Sequence, residues 1–368
     1  MAVLQRSPLY DLHGTRGAEF VEESGWLLPA HFGDRATEYQ AVRSQVGLID
    51  LCHRSLIRFQ GPDRVSFLQG MVSNDVKSLA AGEGLYAAVL DVNGKVLADV
   101  RIFCAEDSFL VDLWEPLKEK ILDHLNRYLV ADEVEIVDLS GERGILSLQG
   151  PKSRALLERL LGTREIPSTP YGHRIAKIDM TEVGVVHATH TGEKGFDIMI
   201  AADSLPDVAS RLEEAGRSFS LRWVGRHALE VLRVEAGIPL CGVDMDEENL
   251  LLETGLDHAV SFHKGCYLGQ EVVERIHSRG HVNRKLVGLM LDGKDPAERG
   301  AKIRCGEKEV GRVTSAVYSP ALKRPIALGY VARDSWESGT RLTVHSGSAT
   351  LPAVVSTLPF YNAAASLS

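Results

Sequence analysis

No stretch of this 368-residue chain approaches the roughly 20 consecutive apolar residues that span a bilayer. The amino terminus, MAVLQRSPLYDLHG, also lacks the continuous apolar core of a signal peptide. A cytoplasmic protein with no membrane partner is expected. Cysteine is sparse: Cys52, Cys104, Cys241, Cys266 and Cys305 are odd in number, widely spaced and free of any CxxC pair, which argues against both a disulfide framework and a tetrahedral zinc site. The 13 histidines include no HExxH spacing, so no permanent metal is expected. Surplus positive charge is missing as well. With 41 Lys and Arg against 50 Asp and Glu the net charge is −9, whereas phosphate backbones are held by excess cations, so stable nucleic-acid binding is not expected.

What is present has a globular balance. Hydrophobic residues at 44% and charged residues at 25% leave little room for long disordered tracts. A length of 368 residues exceeds one ordinary core and suits two or three packed modules. From Asp34 to Gly47 the pattern predicts a helix capped by Asp34 and ended by Gly47. IRFQGPDRVSFLQGM then supplies a strand, a Gly-Pro turn and an apolar helical face, and LSLQGPKSRALLERL repeats that plan later in the chain. Each copy precedes two apolar runs parted by a Gly-containing turn, LYAAVLDVNGKVLADVRIF and VVHATHTGEKGFDIMI, which read as hairpins. The chain is therefore expected to be internally duplicated, with Asp99 and Asp197 on comparable strands facing a central cleft.

Three more helices are expected. EPLKEKILDHLNRYL carries Leu117, Ile121, Leu125 and Leu129 at spacing four behind Pro116, a second helix should run from about Ser204 to Gly216, and a third from about Trp223 to Ala236 before Gly237. Beyond Asn283 short strand-like runs parted by Gly, Pro and Asp predict a separate all-β module.

The most informative segment is KGCYLGQE, Lys264 to Glu271, leading into the helical pattern GQEVVERIHSR. A thiol ahead of a helix amino terminus and beside Lys264 is expected to form a thiolate readily, which marks Cys266 as the best nucleophile or transient metal ligand in the chain. A tight packing corner is the plain alternative. The stripe Arg275, His277, Arg279, His281, Arg284 and Lys285 offers a basic surface for an anionic tail, or simply a solvated face.

KGCYLGQE, with Arg275 following, is similar to the signature of the YgfZ family, a folate-binding branch of the glycine-cleavage T-protein (aminomethyltransferase) superfamily. GWLLPAHFGDRATEYQAVRSQVGLIDL, SNDVKSL, TGEKGFDI, LRVEAGIPL and LETGLDHAVSF resemble superfamily blocks in the same order. The resemblance implies a T-protein-like α+β fold of three lobes around a central folate channel, two of them duplicated and the third a carboxy-terminal β-barrel. It divides the chain into a folate-binding region, 1–282, a barrel, 283–362, and a tail, 363–368.

The implied ligand is tetrahydrofolate or a one-carbon derivative, with Asp99 near its reactive nitrogens and Tyr86 in contact. Departures from the family pattern fall at Ala98, at Phe103 and His190 in place of tyrosines, and at Asp197 in place of glutamate. The expected arginine aligns nearest Leu229, leaving Arg226 and Arg233 as substitutes. Cys266, Asp99 and Lys264 are the implied catalytic residues, while Gly265, Tyr267, Gly269, Gln270, Glu271 and Arg275 complete the signature. The implied role is an accessory factor for iron-sulfur cluster assembly or repair, with iron-sulfur client or assembly proteins as partners. The alternative is an aminomethyltransferase that delivers a one-carbon unit to tetrahydrofolate.

Overall fold

The computed structural model describes residues 4–163 and 166–363. The last five residues of the expected tail lie outside them. The chain divides into two compact units. The first takes in the chain up to Val89, Ala98–Leu229 and His263–Tyr267, and the second Leu90–Leu97, Glu230–Phe262 and everything from Leu268 onward.

The first unit opens with a small sheet of β1 (Gln5–Arg6), β2 (Glu19–Glu23) and β3 (Trp26–His31), with α1 (Tyr10–Thr15) between its first two strands. Helix α2 (Arg35–Ser44) begins where Asp34 accepts the amides of Ala36 and Thr37, the cap expected from the sequence. It stops sooner than expected. Gly47 opens strand β4 (Gly47–Asp50) instead of capping the helix, because a Cβ there would lie 2.5 Å from Val42 and 2.8 Å from Val224.

Two copies of one plan follow. The first is β5 (Arg54–Gln60), α3 (Arg64–Met71), β6 (Gly84–Leu90), β7 (Val96–Cys104), β8 (Ser108–Trp114), α4 (Lys118–Asn126) and β9 (Glu135–Asp138). The second is β10 (Arg143–Gln149), α5 (Ser153–Leu161), β11 (His173–Ile178), β12 (Thr181–His187), β13 (Gly195–Ala201), α6 (Leu205–Gly216) and β14 (Arg222–Trp223). Their sheets run β6-β7-β8-β5-β9 and β11-β12-β13-β10-β4-β14, so strand for strand the first four positions agree. The turn glycines are sterically required in both. Gly61 and Gly150 have φ of 103° and 130°, and a Cβ would meet the carbonyl oxygens of Glu133 at 2.2 Å and Gln45 at 2.6 Å.

The observed topology corrects one expectation. Asp99 lies on β7, which matches β12, whereas Asp197 lies on β13, which matches β8. The hairpin equivalent to β6-β7 is β11-β12, and β11 was not expected because its charged, half-exposed sequence HRIAKI hides the strand period.

Helix α7 (Arg226–Glu235) leads into the second unit, starting three residues later than expected because Trp223 belongs to β14, and ending before Gly237 at φ 67°. Helix α8 (Gln270–Arg279) covers the predicted GQEVVERIHSR pattern. All six strand-like runs beyond Asn283 are strands: β15 (Arg284–Leu291), β16 (Lys302–Cys305), β17 (Lys308–Ser319), β18 (Arg324–Ala332), β19 (Arg341–Ser346) and β20 (Ala349–Ser356). They close a barrel in the order β15-β18-β17-β16-β19-β20 around Leu289, Ile303, Val313, Val331 and Val344. Among the described residues no helix is long and apolar enough to cross a membrane.

Candidate functional site

In the first unit, strands β6 and β7 set Tyr86 and Asp99 side by side. The Tyr86 hydroxyl donates to Asp99 Oδ2 at 2.8 Å. Asp99 is only half-buried, and its other oxygen makes no hydrogen bond among the described residues. Burial pushes the Tyr86 hydroxyl well above its ordinary range and the Asp99 charge pushes it further, so Tyr86 stays a proton donor toward the carboxylate. Tyr171 stacks on Tyr86, with ring centroids 6.1 Å apart and planes 19° from parallel. Its backbone is left-handed, φ 59°, and its carbonyl oxygen would lie 2.5 Å from a Cβ on residue 84, where only glycine fits. Burial raises the Tyr171 hydroxyl, and Asp99 and Asp197 act in the same direction against Arg101. That hydroxyl also makes no hydrogen bond among the described residues.

Two residues past Asp99, on the same strand face, Arg101 anchors a buried ionic cluster. It lies opposite Asp112 in the ladder and donates to it at 3.2 Å, with Asp197 at 3.6 Å. Arg54 holds the other Asp112 oxygen at 2.7 Å. Burial works against the Arg101 charge, but Asp112 and Asp197 outweigh it and raise its pKa. Burial alone would raise Asp197, yet His190, Arg101 and the Ser147 hydroxyl hold it below the usual carboxylate range. Ser147 donates to Asp197 at 2.6 Å and His190 Nε2 lies 2.9 Å from it. Burial, aided by Arg101, lowers His190 against the pull of Asp197. The network fits a neutral imidazole whose Nε2 proton points to Asp197 while Nδ1 accepts from Arg101 at 3.2 Å. Two arginines and two buried aspartates thus balance.

The other predicted residues separate. Asp197 is 2% exposed with its oxygens engaged inside the protein, so it holds Arg101 and His190 and is not open to grip a pterin. Phe103 is buried edge-on against His173, 5.7 Å between ring centroids, where no ligand ring can stack on it. In the second unit Arg233 donates to Glu230 through Nε and Nη2, to Asp244 and the Ile238 carbonyl through Nη1, and to Ser315 through Nη2. All five guanidinium protons are used, which leaves none for folate. Arg226 forms a two-pronged pair with Glu23.

The signature segment divides similarly. Cys266 is exposed, but Lys264 does not serve its thiol. The Lys264 ammonium is buried and donates to the carbonyls of Gln69, Val72 and Asn74 at 2.7, 2.7 and 2.8 Å, with Tyr267 beneath it at 5.0 Å. Burial lowers its pKa to about 8. Gly265 is sterically free, whereas Gly269, at φ 83°, starts α8 where a Cβ would lie 2.5 Å from the Asp91 carbonyl oxygen. Tyr267 is buried and Gln270 half-buried, while Glu271 and Arg275 are exposed on α8. Within the basic stripe His277 stacks on Phe262 at 3.8 Å and Arg284 pairs with Glu253 at 3.1 Å, while Arg275, His281 and Lys285 are exposed. The Arg279 side chain lies outside the described residues.

Sequence reasoning missed Tyr171, Arg101, Arg54, Asp112 and Ser147. The one available signal was the pair Asp99 and Arg101, spaced to share a strand face. A cavity of about 650 Å³ elsewhere in the first unit, lined by Arg16, Phe32, Glu213 and Trp223 among others, holds none of the predicted site residues.

Residues 9–264 match the GCVT N-terminal domain, and residues 284–362 match the glycine cleavage T-protein C-terminal barrel domain. An aminomethyltransferase of Rubrobacter xylanophilus is 35% identical over 359 residues, covering 97% of this chain and 94% of the relative. One from Thermotoga maritima is 32% identical over 362 residues, covering 97% and 98%. The crystal structure of glycine cleavage system aminomethyltransferase T from Bartonella henselae superposes with a TM-score of 0.88 at 27% identity, covering 98% of each chain. These likenesses overturn the expected iron-sulfur accessory role, since full-length relatives and the matching structure alike carry the aminomethyltransferase name. KGCYLGQE alone had suggested that role, and eight residues weigh less than a likeness along the whole chain.

Proposed function

Because the chain belongs to the glycine cleavage T-protein family and has its fold, we propose that it is an aminomethyltransferase. It moves the aminomethyl carbon from a lipoyl carrier thiol to tetrahydrofolate, so that the carrier regains its thiol and ammonia leaves. The observation that carries this reading is the half-buried Asp99, held by Tyr86 through one oxygen with the other left for a ligand.

The residues present fit a pterin on narrower terms than the family resemblance implied. Asp99 offers an acceptor, Tyr171 a hydroxyl with no hydrogen bond among the described residues, and the Tyr86–Tyr171 stack a flat aromatic wall. Asp197, Phe103 and Arg233 are committed to internal contacts. Tetrahydrofolate, when bound, supplies the amine nitrogens that accept the carbon. Asp99 holds or removes a proton there and Tyr86 fixes the carboxylate's orientation. Tyr171 orients the ring.

Thermal melting with and without tetrahydrofolate tests the binding half of this reading, since a ligand of the native state raises the midpoint. Saturating folate should raise the wild-type midpoint and raise that of Tyr171→Ala less. No shift in the wild type at millimolar folate would refute it.

A further inference from the structure

We propose that Lys264 is a positioning residue of the Asp99 site: its ammonium fills a cage of three main-chain carbonyls and so fixes the strap that sets Tyr86 against Asp99. This rests on the assignment of Asp99 to the reaction centre. The cage forms where α3 ends. The last turn of a helix leaves carbonyls without partners and carries the negative end of the helix dipole, so a cation is favoured there. Lys264 Nζ reaches the Gln69, Val72 and Asn74 oxygens, at 2.7, 2.7 and 2.8 Å. An ammonium has three protons, and all three are matched. The lysine comes from 190 or more residues away in sequence, so it joins segments that no local interaction would hold.

The caged segment is the strap along β6, which is the edge strand of its sheet. The Ser73 amide donates to the Ala88 carbonyl at 3.0 Å, and the Ala88 amide to Ser73 Oγ at 2.8 Å. Asn74 Nδ2 donates to the Tyr86 carbonyl at 2.9 Å. Tyr86 then holds Asp99. The path from ammonium to carboxylate is therefore Lys264, Asn74, Tyr86, Asp99, with a hydrogen bond at each junction. Lys264 touches neither the carboxylate nor a ligand there and acts only through the strap.

The test removes the ammonium and returns it as a free amine. In Lys264→Ala, amide hydrogen exchange over residues 72–75 and 86–89 should quicken about tenfold or more, with the barrel strands unchanged. The kcat for folate-dependent transfer should fall about tenfold, more than KM rises. Added ethylammonium, which fits the vacated cage, should restore both. Unchanged exchange over those residues would overturn the proposal, as would faster exchange throughout the protein with kcat intact below the melting temperature. Should Lys264→Ala not fold, Lys264→Arg serves, because a planar fork cannot meet three converging oxygens as a point charge does. Wild-type exchange and kcat in that variant would likewise overturn it. Exchange needs no turnover: a wild-type protein that transfers no carbon defeats the functional reading, while the exchange pattern still decides the cage.

Discussion

Tyr86 donates its hydroxyl proton to Asp99 across two neighbouring strands, at 2.8 Å, and the second carboxylate oxygen has no hydrogen-bond partner among the described residues. A half-exposed acid held this way contributes little to stability and much to chemistry. Asp99→Asn should therefore lower turnover about 100-fold or more, with the unfolding free energy within about 0.5 kcal/mol of wild type. Tyr86→Phe should lower kcat about tenfold through loss of orientation. Steady-state kinetics beside urea unfolding checks both, and an Asp99→Asn variant as active as wild type would remove Asp99 from the site.

Asp197 predicts the reverse. It is buried and compensates Arg101 while accepting hydrogen bonds from Ser147 and His190. Asp197→Ala leaves a buried guanidinium short of one carboxylate and should cost about 3–5 kcal/mol of stability. Asp197→Asn keeps an acceptor and should cost less. Chemical denaturation of the two variants reads both losses, and a loss below about 1 kcal/mol in both would contradict the charge balance described.

His53 supplies a pH dependence. Burial first, with Arg226 and Arg54 nearby, lowers its pKa to about 3, against about 6.5 in the unfolded chain. Below pH 6.5 the unfolded state therefore binds a proton that the folded state refuses. Its contribution is fully present above that pH and is lost as pH falls toward 3, with a slope of about 1.4 kcal/mol per pH unit. His173 and His190 are lowered too, so the total slope should be steeper. His53→Gln should remove about one proton's share of the slope between pH 6 and 4, and an unchanged slope would refute this.

The thiols sort by exposure. Cys266 and Cys305 are exposed, while Cys52, Cys104 and Cys241 are buried. A thiol-specific reagent should modify two groups quickly in the native protein and all five after unfolding. Fast modification of a third would contradict the packing around the buried cysteines.

Local regularity was legible in the sequence. The six barrel strands follow from alternation broken by Gly and Pro, and the twin QGP turns announced the duplication because each needs a left-handed glycine pressed on backbone. Long-range chemistry was not legible. Arg101 and Asp112 read as polar positions on a strand, and only the sheet brings them together with Asp197. Tyr171 sits in TPYGHR, which reads as an ordinary turn. Arg233 had the right type and nearly the right place, yet its protons go to Glu230, Ile238 and Asp244 nearby and to Ser315, 82 residues away. Lys264 was assigned to its neighbour Cys266, whereas its carbonyl partners lie at Gln69, Val72 and Asn74. Proximity in sequence favoured the wrong partner.

The most direct measurement supplies purified protein with methylenetetrahydrofolate, ammonia and a reduced lipoyl carrier, and follows the aminomethylated carrier by mass. Wild type should form it, and Asp99→Asn, folded equally well, should form at most about 1% as much in the same time. No product from wild type at high enzyme concentration, or equal product from both, would contradict the proposed reaction.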